Sequence, residues 1–152
     1  MTRRQPSGGD QPPDAMLFGP LDLFHVRGLV RLRAQLAGLS DERTDGLVLA
    51  VHEIAAHAFT LGEEPAWLVV NSGADHVLCE IRETDRDGAA DERAPDRVPR
   101  LAEPVGGSAI RWRVARLMAD EVRVTADSTS VQLLMRLAAP ARRVPPGRSR
   151  RR

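Results

Sequence analysis

Apolar positions along this chain recur at helical spacing in three stretches, and cluster or alternate at strand spacing in five. Leu17, Phe18, Leu21, Leu23 and Phe24 bracket Gly19-Pro20 and read as a short strand leading into a helix. From His25 to Ala37, Val26, Leu29, Val30 and Leu36 mark the inward face of a first helix, which Gly38 stops. Ser40 suits an N-cap, with Asp41 and Glu42 in the first turn, where the helix dipole favours acids. The second helix runs to about Leu61, its buried stripe being Leu47, Ala50, Val51, Ile54, Ala58 and Leu61. Gly62 to Pro65 break it. Trp67 to Val70 and Val77 to Ile81 then read as an antiparallel hairpin across Asn71-Ser72-Gly73.

A polar stretch from Thr84 to Pro104 follows, long enough to suggest a lid or an excursion. Gly106-Gly107-Ser108 opens a third helix, Ala109 to Ala119, with Ile110, Val114, Leu117 and Met118 expected inward. Two last strands, Glu121 to Val124 and Ser130 to Leu137, flank a turn at Ala126 to Thr129. Hairpins dominate this order. The expected fold class is therefore α+β, a two-layer sandwich with a mixed or antiparallel sheet covered on one face by helices. Trp67 and Trp112 are expected as core or interface aromatics.

Composition narrows the picture only a little. The chain has 152 residues, 42% of them hydrophobic, which suits one domain with a core. Its charges nearly cancel to a formal +1, so whole-molecule charge points to no partner. Every positive side chain is arginine, and Arg142, Arg143, Arg148, Arg150, Arg151 and Arg152 crowd the C-terminus. That tail has no interleaved aromatics, so a solvated tail is expected rather than a nucleic-acid site. Cys79 is the single cysteine, which excludes an internal disulfide and a Cys-x-x-Cys metal site. With no membrane-length apolar run and no apolar signal segment, a soluble, cytoplasmic protein is expected.

The candidate chemistry begins with LVLAVHEIAAHAF, Leu47 to Phe59, which carries Glu53 and His57 one turn apart on one helix face. His52 and His57 are one residue too far apart for a zinc-protease pair. Five helical positions leave them about 140° apart, and no metal is expected. Further along, CEIRETD (Cys79 to Asp85) ends a strand, GGSAI (Gly106 to Ile110) opens a helix, and Thr129-Ser130 enters the last strand. In this order these joints resemble the Bergerat-fold (GHKL) ATPase domain of small bacterial anti-sigma-factor serine kinases, over roughly Leu21 to Leu137.

The resemblance implies a role for each matching position. Glu53 stands where the family has its general base. His57 replaces an asparagine whose amide oxygen holds Mg²⁺, and imidazole nitrogen is a poor ligand for that hard ion. Glu83 replaces the aspartate that receives adenine, and Asp85 replaces a glycine beside it. Gly106 and Gly107 keep part of a phosphate-binding loop, but Ala109 replaces its second glycine. Ser130 stands at the threonine of a Gly-Thr pair, and the lid has no lysine.

These departures gather at ligand-touching positions while the core patterns are intact. The resemblance then implies a tail over 1–15, a degenerate ATPase-like domain over 16–138 with a lid-like loop at 84–105, and an arginine-rich tail over 139–152. It further implies a non-catalytic regulator without a cofactor, with Glu53 as a vestigial base, binding a sigma factor or an anti-anti-sigma (STAS) protein and capable of forming a homodimer. The alternative is an active, ATP- and Mg²⁺-dependent serine/threonine kinase with an atypical pocket.

Overall fold

The computed structural model describes residues 13–84, 100–104 and 109–137. Along the chain come β1 (Asp14–Phe18), α1 (Leu23–Ala37), α2 (Asp41–His57), β2 (Ala66–Ser72), β3 (His76–Glu83), α3 (Ile110–Met118), β4 (Glu121–Val124) and β5 (Ser130–Arg136). The strands form one open sheet in the order β1-β2-β3-β5-β4, and every pairing is antiparallel.

Strand alternation decides which face is covered. Phe18, Leu68, Val70, Val77, Cys79, Ile81, Val131, Leu133 and Met135 are all buried on the helical side. They meet Val26, Val30 and Ala34 of α1 and Leu47, Val51 and Ile54 of α2. Burying each large aliphatic side chain stabilises the fold by about 1.5–3 kcal/mol. The alternate residues, among them Leu17, Trp67, Arg82 and Gln132, lie on a face that no described helix covers. The architecture is α+β, two layers deep, with its helices on one side of the sheet.

Most element ends fall where the residues predict them. Ser40 caps α2, its hydroxyl accepting from the Arg43 amide at 3.3 Å. Gly38 ends α1 at φ 94°, the left-handed conformation that glycine adopts without a Cβ penalty. β1 begins at Asp14, inside the stretch expected to be tail. The tail residues 1–12 and 139–152 lie outside the described residues.

Four expectations about faces and ends are corrected. α2 stops at His57, and Leu61 beyond it is exposed, because Thr60 turns back and its hydroxyl donates to the His57 carbonyl at 2.9 Å. Leu36 is also exposed. Arg33 fills the inward position of α1 instead, its stem buried and its guanidinium 3.2 Å from Asp14. Of the two places expected for Trp67, core or interface, the core is excluded: it stands on the outer sheet face, 40% exposed. In α3 the inward residues are Trp112 and Ala115; of the predicted stripe Ile110, Leu117 and Met118 face out and Val114 is half-buried.

Two joints position the candidate site. Helix α3 packs on α2 with Gly46 against Met118, where a Cβ would sit 3.2 Å from the Met118 carbonyl oxygen. This close approach explains a glycine in mid-helix, where it costs about 1 kcal/mol relative to alanine. The second joint is the return of the chain to β3: the Glu83 amide donates to the Thr129 carbonyl at 2.9 Å, extending the β3–β5 ladder.

Candidate functional site

Glu53 and His57 share the side of α2 that meets α3, as their spacing requires. The Glu53 carboxylate does not stand free. Its Oε2 accepts from Nη1 of Arg111 at 3.0 Å, and the side chain is largely enclosed. A general base needs an accessible lone pair aimed at a substrate proton. Here a guanidinium engages one of its two oxygens.

His57 is buried. Its ring lies edge-on to the Trp112 indole, with centroids 5.7 Å apart. Nε2 is 3.2 Å from the Ala102 carbonyl, which can only accept, so Nε2 carries the proton and donates. Burial pushes the His57 pKa below its ordinary 6.5; the bond to Ala102 opposes this and nearby Arg111 adds to it. At neutral pH the ring is a neutral donor, already committed through Nε2.

Ala102 belongs to a short strap, residues 100–104, crossing from the end of β3 toward α3. Glu83 holds its start: Oε1 accepts from the backbone amides of Arg100 and Leu101, the latter at 3.2 Å. Leu101 is fully buried. The Arg100 guanidinium donates to the carbonyls of Glu64 at 2.7 Å and Pro65 at 3.3 Å, and lies over the Phe59 ring. At the other end Glu103 accepts from Arg116 at 2.8 and 3.3 Å. Glu83, at the position expected to face adenine, therefore serves as an acceptor for this chain's own amides.

Of the expected site residues, Glu53, His57, Glu83 and Ala109 border one seam between α2, α3 and the strap. Ala109 sits at the N-cap position of α3, without a side-chain cap. Ser130 does not join them. It pairs with Arg82 on the uncovered face, and its hydroxyl donates to Oε1 of Glu80 at 2.6 Å. Arg82 grips the same carboxylate at 2.6 and 2.9 Å, which holds the Glu80 pKa below its usual value. Asp85, Gly106 and Gly107 lie outside the described residues.

The residue pattern points to Trp112 as a core aromatic, which it is, but not to Arg111, Arg100, Leu101 or Glu80. Only Leu101 left a signal, as a lone large apolar residue within a polar stretch. Cys79, buried in the sheet, has its thiol pushed up to about 12 by burial, so it is no nucleophile in the folded protein. Among the described residues no cluster of three or more His, Cys, Asp or Glu is arranged to hold a metal.

Two grooves occur at the β4 end of the molecule, the second reaching Arg116 of α3. One, of about 290 Å³, is lined by Leu78, Glu121, Arg123, Gln132 and Leu134; the other, of about 330 Å³, by Arg116, Asp120, Glu121, Val122 and Arg123. No described helix is long and apolar enough to cross a membrane. No protein-family model matches this chain, and no curated protein matches it significantly.

Proposed function

We propose that this protein is a non-catalytic regulatory module on a Bergerat-type scaffold, acting by binding a partner protein rather than by transferring phosphate. The partner, by the resemblance of its joints, is a sigma factor or an anti-anti-sigma (STAS) protein. What carries this reading is the strap. Leu101 is fully buried, and Glu83 and His57 are spent on fastening the strap at Arg100, Leu101 and Ala102. Glu53 is likewise occupied by Arg111. A fold can persist after the chemistry grafted on it has gone.

Nucleotide titration tests the reading. Calorimetry with ATP and Mg²⁺ is expected to give no measurable binding to the unmodified protein, and millimolar ATP no thermal stabilisation. A ligand at a hundredfold excess over its dissociation constant would add about 2.7 kcal/mol. The variant combining His57→Asn, Asp85→Gly and Ala109→Gly, measured alongside, reports whether the family's residues restore affinity. Tight ATP binding by the wild type overturns the proposal and returns the kinase reading.

A further inference from the structure

Helix α3 has two apolar faces. Trp112 and Ala115 turn inward. Ile110, Val114, Leu117 and Met118 follow the spacing i, i+4, i+7 and i+8 and share a sector about 100° wide. Most of that sector meets solvent: Ile110 is 61% exposed, Leu117 77% and Met118 39%, with Val114 half-buried among them. On α2, Leu49 is 41% exposed and lies between Gly46, which abuts Met118, and Glu53, which pairs with Arg111, so it widens the stripe. An exposed periodic apolar stripe with Leu49 of α2 beside it has the shape to receive the apolar face of another helix.

The charges beside it indicate what would cover it. α3 carries Arg111, Arg113 and Arg116 and no acid. By helical geometry Arg113 lies about 40° outside one border of the stripe and Arg111 about 20° outside the other. Arg111 engages Glu53 and Arg116 engages Glu103, but among the described residues Arg113 has no acidic partner. We propose that this stripe docks an amphipathic helix of a partner protein whose apolar face is flanked by acidic residues.

Other occupants fit less well. The segment 85–99, DRDGAADERAPDRVP, has acids but only Val98 as an aliphatic residue larger than alanine. The terminal segments 1–12 and 138–152 bring arginine to an arginine-rimmed surface. A second copy placed α3 against α3 would oppose arginine with arginine, which is destabilising.

The surface deepens the partner-binding reading, but its test is separate. The full chain, labelled for amide NMR, is titrated with a synthetic helical peptide of about eighteen residues bearing a leucine stripe flanked by glutamates, and with a lysine-flanked counterpart. The expected result is preference for the acidic peptide, with shifts confined to α3 and the neighbourhood of Leu49. Leu117→Ser and Arg113→Glu, both at exposed positions, should each weaken it at least about tenfold, and Arg113→Glu should recover affinity for the lysine-flanked peptide. Leu36→Ser on α1, also exposed, should change nothing.

Equal binding of both peptides, shifts elsewhere, or indifference to Leu117→Ser overturns the assignment. So does a wild-type dimer in sedimentation that Leu117→Ser dissolves, since a second copy would then be the occupant. Failure here with ATP still unbound removes the surface and leaves the non-catalytic reading standing. ATP binding alone removes that reading and leaves the surface.

Discussion

His57 is held as a neutral ring by its surroundings, and this has a consequence for stability. Burial is the largest cause lowering the pKa of both His57 and His52; Arg111 adds to the effect at His57, and Arg27 at His52. In the unfolded chain both titrate near the ordinary 6.5. As the pH falls below that value the unfolded chain takes up protons that the folded protein does not, so the folded state loses stability. The contribution is complete above about pH 6.5 and declines toward the lower folded pKa values. Carboxylates with lowered values, such as Glu80 and Asp127, act only at more acidic pH, below their ordinary 4.5 and 3.8. The melting temperature should therefore fall between about pH 7.5 and 5.5, and His57→Phe should flatten that decline. Parallel curves for the two proteins would clear His57 of the effect.

Among the elements, the strap and α3 depart furthest from what periodicity suggests. The strap has one large apolar side chain in a polar stretch, too little pattern to mark it as core, yet Leu101 is enclosed as fully as Leu68 or Leu133. Leu101→Ala should cost about 2–5 kcal/mol in urea unfolding, the range for truncating a buried leucine. Glu83→Ala, which leaves two strap amides without their acceptor, should cost about 1–3 kcal/mol. A loss below about 0.5 kcal/mol for Leu101→Ala would mean that the strap is not part of the core. α3 misleads for the opposite reason. It carries apolar residues on two faces, and counting them favours Ile110, Val114, Leu117 and Met118. The bulk of Trp112 and the small Ala115 decide which face closes on α2.

At the scale of the whole molecule, the order of elements and the two hairpins β2–β3 and β4–β5 were legible, because hairpin turns and helix stops are local signals. The β1–β2 and β3–β5 pairings, which make the sheet wholly antiparallel rather than mixed, were not. The candidate site was legible only where helical spacing governed it, at Glu53 and His57. Ser130 landed on the far face because strand parity depends on register, and a slip of one residue exchanges the faces. Opposite Arg82, it had to point away from the helices. The partners that occupy Glu53 and Glu83 stand 58 and 18 positions further along the chain, through contacts that no local pattern encodes.

The return of β5 to β3 has one last consequence. The pieces on either side of residues 85–99 are joined by the β3–β5 ladder, the α2–α3 seam and the strap's bonds to Glu83 and His57. A covalent link would add mainly effective concentration, on the order of millimolar for a short flexible linker. Two separately encoded chains, 1–84 and 100–152, should thus reconstitute the fold when co-expressed. A tag on either one should recover both. Recovery of only the tagged piece would show that the backbone between Thr84 and Arg100 is indispensable to assembly.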